Sequence, residues 1–171
     1  MQLTQHSEHA ASWEVAVPQQ TNLSILHVED EADDYRALSR LMSELGGFSV
    51  NMTRASSGLA ARNSLLTGCY DVVIADYRLG RETGVEVIDS IARQRKDIAL
   101  ILLTSNLSSE VREAALSAGA ILCIDKDDLS ATSLESALHI AIHRVFQDRI
   151  HQVFQEDEEG VAGGGLNKWL H

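Results

Sequence analysis

The feature that most constrains this chain is a set of short, nearly unbroken apolar runs: Leu23 to Val28, Val72 to Ala75, Ile98 to Leu103 and Ile121 to Ile124. A strand with one face in water alternates apolar and polar residues; a strand covered on both faces does not have to. These runs therefore predict strands sandwiched between helices. A shorter alternating run, Phe48 to Thr53, adds a fifth strand, so the expected strands cover about 23–28, 48–53, 71–75, 98–103 and 121–124.

Helix-periodic segments lie between them. Tyr35, Leu38, Leu41, Met42 and Leu45 recur at helical spacing, with Gly46-Gly47 as the expected stop in a left-handed backbone. Ser56 or Ser57 is placed to cap a helix running to about Thr67. Val85, Ile88, Ile91 and Ala92 mark a third helix after a loop with Gly80 and Gly84, and Val111, Ala114, Ala115 and Ala118 mark a fourth, capped by Ser108 or Ser109 and stopped at Gly119. A fifth begins near Ala131 to Ser133. Strands alternating with helices require crossover connections, so the predicted class is α/β, a doubly wound five-stranded parallel sheet with helices on both faces.

In such a sheet the carboxyl ends of the strands share one edge, where ligands bind. Glu29 and Asp30 follow the first run, Asp76 the third, Thr104 the fourth and Lys126 the fifth. Three carboxylates, a hydroxyl and an ammonium gathered there suit one task, holding a divalent cation and a phosphoryl group against a nucleophilic aspartate. Asp76 is the expected nucleophile, forming an acyl phosphate. Asp30 and Asp76 are the expected direct ligands of Mg2+, a hard ion that takes one or two carboxylates with water and phosphate oxygens. Glu29 would act directly or through water. Lys126 and Thr104 would hold equatorial phosphoryl oxygens, because such transfers are catalysed by positioning and electrostatics. Asp33 and Asp34 read better as the solvated, dipole-favoured start of a helix.

Residues from about 22 to 148 resemble the receiver domain of bacterial response regulators. The resemblance rests on Val28-Glu29-Asp30, on Asp76-Tyr77-Arg78-Leu79-Gly80, on Thr83-Gly84, on Leu103-Thr104-Ser105, and on Gly119-Ala120 followed by Lys126. It implies a flavodoxin-like fold with strand order 2-1-3-4-5 and phosphotransfer to Asp76 from a histidine kinase or histidine phosphotransfer protein. It also implies Mg2+ as the required ion, with Arg78 contributing its backbone carbonyl, and slow self-catalysed hydrolysis of the acyl phosphate. Two positions depart from the family pattern. Cys123 stands where many members carry an aromatic residue that rotates with the threonine, and Asp127 stands where proline usually follows the lysine. Arg78 and Asn106 are expected to flank the pocket and tune the lifetime of the acyl phosphate.

The remaining sequence bounds the setting. A net charge of -11 argues against non-specific binding to nucleic acid or an anionic membrane. No apolar stretch approaches the roughly 20 residues needed to cross a bilayer, and the first twenty residues lack a secretory signal pattern, so a cytoplasmic location is expected. Cys69 and Cys123 are too few and too far apart for a disulfide framework or a CxxC pair. Residues 1–21 read as a flexible leader in which Trp13, Val15 and Val17 alternate, 22–148 as the receiver domain, and 149–171 as a helix extension with an acidic, glycine-rich tail. With a tail of that length, no DNA-binding or enzymatic output domain is expected.

Leu134, Leu138, Ala141, Ile142, Val145, Ile150, Val153 and Phe154 extend an apolar stripe to about residue 155, further than covering the sheet needs. A partner surface is expected there, a kinase or a homodimer being the candidates. His139, His143, Gln147 and His151 share another face and read as solvated, since the glutamate of HExxH is missing. Two other functions compete. A haloacid-dehalogenase-like phosphatase would need a second aspartate two residues after Asp76, where Arg78 stands. A degenerate receiver would serve only as a dimerisation scaffold. Nucleotide binding lacks both glycine-rich fingerprints.

Overall fold

The computed structural model of the chain describes residues 20–162, with side chains as far as His151. Trp13, Val15 and Val17 of the expected leader lie outside the described residues, as do residues 163–171 and the side chains of Val153 and Phe154. Element order is β1 (Thr21–Val28), α1 (Ala32–Ser43), β2 (Phe48–Ala55), α2 (Gly58–Thr67), β3 (Val72–Asp76), β4 (Arg78–Leu79), β5 (Glu82–Thr83), α3 (Gly84–Ala92), β6 (Ala99–Thr104), α4 (Ser109–Ala118), β7 (Leu122–Asp125), a 3-10 turn over Lys126–Asp128, and α5 (Ala131–Ala162). Five strands form one parallel sheet in the order β2-β1-β3-β6-β7. With the two-residue strands β4 and β5 set aside, this is the 2-1-3-4-5 arrangement.

Side chains alternate across the sheet and feed two separate cores. Leu26, Val28, Val73, Ala75, Leu100 and Leu102 meet Ala61 of α2, Val87, Ile88 and Ile91 of α3 and Ala115 of α4. Leu23, Ile25, Val72, Ile74, Ile101 and Leu103 meet Leu38 and Met42 of α1 and Leu134, Leu138 and Ala141 of α5. At roughly 1.5–3 kcal/mol per fully buried aliphatic side chain, these layers outweigh exposed ion pairs such as Arg93 with Asp89 at 2.6 Å, worth about 1 kcal/mol at most. Burial of β3 and β6 on both faces holds their carboxyl ends in register, Asp76 opposite Leu103.

Capping chemistry sets the helix boundaries. Ser57 caps α2 by accepting from the amide of Ala60, and Ser108 caps α4 by accepting from that of Val111. Thr83 and Glu86 form a reciprocal capping box at the start of α3. Gly119 ends α4 in the left-handed conformation, φ 109°.

Four expectations are corrected. Strand β1 starts at Thr21, inside the expected leader, because the backbone ladder with β2 needs no apolar side chain at Thr21 and Asn22. The loop after Asp76 contains the hairpin β4–β5, turned at Gly80 with φ 66°. Gly46-Gly47 does not supply a left-handed stop: α1 ends at Ser43 with Glu44 still right-handed, and neither glycine has positive φ. Gly47 instead allows close approach, its amide donating to Glu135 Oε1 at 2.6 Å where a Cβ would lie 2.7 Å from that oxygen. Finally, α5 remains helical to Ala162, through the stretch read as an acidic linker.

The first half of the expected α5 stripe is consumed by its own domain. Leu134, Leu138 and Ala141 are buried in the core, while Ile140 and Phe146 are the large exposed apolar side chains of α5 among the described residues. Arg149 reaches Asp97 at 3.7 Å. His139 lies against Phe48, ring centroids 4.5 Å apart, and His143 and His151 remain exposed. Among the described residues no helix is long and apolar enough to cross a membrane.

Candidate functional site

The strand ends of the sheet surround a cleft of about 440 Å3 whose lining includes Glu29, Asp30, Asp34, Asp76, Thr104 and Lys126. All the residues singled out from strand ends therefore meet. Asp76 is buried at the end of β3, where the amide of Tyr77 continues the ladder to Leu103 at 2.8 Å. Its Oδ2 accepts from the Arg78 amide at 2.7 Å, and its Oδ1 lies 2.7 Å from Lys126 Nζ. Gly84 packs directly beneath, and a Cβ there would stand 2.2 Å from the Asp76 carbonyl oxygen. One oxygen of the acceptor is thus oriented by backbone and the other by the ammonium.

Lys126 sits just past β7 and draws on three carboxylates: Asp34 Oδ2 at 2.6 Å, Asp76 Oδ1 at 2.7 Å and Glu29 Oε2 at 3.3 Å. Burial works against its charge, but hydrogen bonds to Asp34 and Asp76 outweigh that and hold its pKa above the ordinary lysine value. Glu29 is only 1% exposed, and burial raises its pKa despite the opposing Glu31 amide and Lys126. The same pair is therefore favourable for the lysine and costly for the glutamate. The net raised Glu29 value carries the physical point, because a nearly dry carboxylate held by a shared ammonium remains under-compensated.

Arg54 at the end of β2 grips the backbone of the acidic pair. Its Nε donates to the Glu29 carbonyl at 2.9 Å and its Nη2 to the Asp30 carbonyl. With those carbonyls fixed, the two neighbouring carboxylates are displayed at the strand end rather than on opposite sheet faces. His27 lies beneath, fully buried, with its Nε2 4.0 Å from Glu29 Oε2 and its ring stacked on Tyr35. Neither ring nitrogen has a hydrogen-bond partner. Burial, reinforced by the nearby Lys126 charge, lowers its pKa to about 3, so the imidazole is neutral at physiological pH.

Thr104 is buried at the end of β6, and its hydroxyl is engaged by its own loop, accepting from the Asn106 amide at 3.3 Å. Asp125 links that loop to β7: Oδ2 accepts from the Leu107 amide at 3.3 Å, and Oδ1 from the Asp127 amide at 3.1 Å. A proline following Lys126 would lack the second donor, and among the described residues no peptide bond is cis. Cys123 is half-buried and burial raises its pKa, which suits a small hydrophobe rather than a reactive thiol.

Glu29, Asp30 and Asp76 offer only oxygen donors, the chemistry a hard divalent cation takes. No three His, Cys, Asp or Glu side chains among the described residues are close enough to cage a metal, so such an ion would depend on one or two carboxylates, water and phosphate oxygens. Asp34 is a site residue that the sequence reading assigned to a solvated helix start. Arg54 and Asp125 received no role from it.

Comparison with known proteins agrees with the fold. The family model for the response regulator receiver domain matches residues 25–139. The transcriptional regulatory protein ZraR of Escherichia coli (strain K12) is 31% identical over 121 residues, covering 68% of this chain and 26% of that protein. The acid tolerance regulatory protein ActR of Sinorhizobium medicae (strain WSM419) is 30% identical over 166 residues, covering 90% of this chain and 82% of that protein. The chain thus spans about a quarter of ZraR. A crystal structure of the signal receiver domain of an HD domain-containing protein from Pseudomonas fluorescens Pf-5 superposes with a TM-score of 0.64 at 21% identity, covering 74% of this chain and 98% of that one. A receiver domain protein from Clostridium thermocellum gives 0.63 at 25% identity, covering 71% and 95%.

Proposed function

The chain belongs to the response regulator receiver domain family, and from that premise we propose that it accepts a phosphoryl group on Asp76. The donor is a histidine kinase or a histidine phosphotransfer protein. The observation that carries this reading is the meeting of Asp76 and Glu29 at the Lys126 ammonium, in a cleft that Asp30 and Thr104 also line.

The Asp76 Oδ attacks phosphorus as the bond from phosphorus to the donor imidazole nitrogen breaks, leaving an acyl phosphate and a neutral imidazole. Lys126 and the Thr104 hydroxyl hold equatorial oxygens of the transferred group, and the Arg78 amide orients the acceptor carboxylate. Asp30 and Asp76 with the Arg78 carbonyl, and Glu29 directly or through water, would hold Mg2+, which would supply positive charge against the negative charge of the transferred group. The added charge of roughly -1.5 to -2 is otherwise opposed by the acidic wall. The output is a phosphorylation-dependent protein contact or onward relay, from a cytoplasmic setting. Thr104 leaves its bond with Asn106, draws Ser105 to Ser109 with it and alters the surface of α4. The exposed Ile140 and Phe146, on different sides of α5, offer separate apolar contacts to a protein partner or a second copy.

Incubation with acetyl phosphate and Mg2+ followed by intact mass measurement tests the reading. A gain of one phosphoryl group, absent with a chelator and in Asp76→Asn, is expected. No gain in the unaltered protein would favour a degenerate receiver used as a dimerisation scaffold.

A further inference from the structure

We propose that Asp34 is a positioning residue that holds Lys126 in the unphosphorylated state and must yield it when the phosphoryl group arrives. This rests on the phosphoacceptor reading above. An ammonium has three N–H donors, and here three carboxylates crowd it, Asp34 at 2.6 Å and Glu29 at 3.3 Å as hydrogen bonds and Asp76 at 2.7 Å as an ion pair. A phosphoryl oxygen can bind Lys126 only after one of these partners lets go.

The three differ in what release costs. The Glu29 and Asp76 side chains are 1% and 8% exposed, whereas that of Asp34 is 51% exposed. A buried carboxylate stripped of its counter-charge keeps its full desolvation penalty. Asp34, on the first turn of α1, exchanges the ammonium for water and keeps the favourable field of the helix N-terminus. It is the partner that yields. Its own negative charge also opposes the incoming anion, so the contact that steadies the empty site works against the occupied one.

Asp33 provides the control. It carries the same charge one residue earlier, is 88% exposed, and pairs with Arg36 rather than with the lysine. Beryllofluoride affinity at saturating Mg2+ is measured by titration for the unaltered protein, Asp34→Asn and Asp33→Asn, with a thermal melt for each. Asp34→Asn is expected to bind beryllofluoride roughly two- to fivefold more tightly, the scale of one partly exposed ion pair, with Asp33→Asn unchanged and all three melting alike. Equal affinity in Asp34→Asn and the unaltered protein overturns the inference. Equal tightening in both variants also overturns it, because general charge would then be the cause. Failure of the unaltered protein to bind beryllofluoride at all removes the phosphoacceptor reading itself, and this inference with it.

Discussion

Every residue of β3 is buried, whereas every residue of β7 is partly exposed, and the groups at their ends, Asp76 and Lys126, meet across the cleft. The β1–β3 side is over-determined. Glu29 and Asp76 are nearly inaccessible, the carbonyls of the acidic pair are gripped by Arg54, and Gly84 leaves the acceptor backbone no room to shift. The β6–β7 side is tied by single hydrogen bonds near 3.3 Å, from the Asn106 amide to Thr104 and from the Leu107 amide to Asp125. One side is built to bear charge without moving, and the other to change partners at small cost. Substitutions on the first side should therefore show up in stability and ion affinity, and those on the second in what the rest of the domain reports.

The largest effect that would break this contrast concerns His27. Its folded-state pKa of about 3 lies well below the roughly 6.5 of an unfolded chain. As pH falls through 6.5 the unfolded state takes up the proton first, so the stability present at neutral pH is lost progressively down to about pH 3. Over the full window this amounts to something on the order of 5 kcal/mol. Glu29 acts with the opposite sign, because its raised pKa lets the folded state bind a proton before the unfolded one. Urea melts across this range in chelator should show the acid loss in the unaltered protein and its marked reduction in His27→Leu. The variant should also be no less stable at pH 7, since it deletes two buried nitrogens without partners. A steep acid loss that persists unchanged in His27→Leu would show that this side does not owe its pH sensitivity to the buried imidazole.

Next comes Gly84→Ala. Its new methyl would stand 2.2 Å from the Asp76 carbonyl oxygen and 2.9 Å from Leu102 Cδ1. Backbone cannot give way as a flexible side chain can. A loss of about 1–3 kcal/mol in denaturant melts and failure to gain a phosphoryl group from acetyl phosphate are expected. Unimpaired phosphorylation would mean that the acceptor side tolerates displacement and is less rigid than the comparison holds.

What could be read from the chain divides along the same line. The apolar runs ending at Val28, Ala75 and Leu103 announce two-sided burial, and the polar residue after each run has to emerge at the shared edge; sheet order aside, that placement follows from local pattern. Asp34 meets Lys126 across 92 positions of sequence, and helix-start statistics describe an acidic residue there equally well whether or not a lysine is near. Arg54 contacts only backbone carbonyls, which leave no mark in residue type. The two-residue strands β4 and β5 are too short to show a period, and the helical stretch 156–162 is charged and glycine-containing, so composition alone reads it as a linker. His27 was hidden for another reason: one polar residue inside an apolar run looks like tolerated variation until its orphaned nitrogens are seen.

Arg54→Lys sharpens the comparison at smaller amplitude. It keeps the charge but loses the planar fork that reaches both carbonyls. Mg2+ affinity measured calorimetrically without any phosphoryl mimic should fall roughly three- to tenfold, the scale of one charge-assisted hydrogen bond at a partly exposed site, while melting changes little. An unchanged affinity would show that Glu29 and Asp30 are held well enough by the β1 ladder alone.

The smallest expected change in stability, under about 1 kcal/mol, belongs to Asp125→Ala, yet it tests the movable side most directly. Asp125 ties the loop after Thr104 to the turn carrying Lys126 through the Leu107 and Asp127 amides. With Cys123 in place of a large ring, these bonds are a physical route by which displacement of Thr104 reaches β7. Removing the carboxylate leaves every group facing the phosphoryl oxygens intact, so beryllofluoride binding should persist. Amide shifts that accompany binding in the unaltered protein over Ser109 to Ala118 and Leu122 to Asp125 should then separate, remaining in the first segment and shrinking in the second. Shifts that stay coupled in Asp125→Ala would place the transmission in apolar packing around Val111 and Ala115 instead, making the second side of the cleft as continuous as the first.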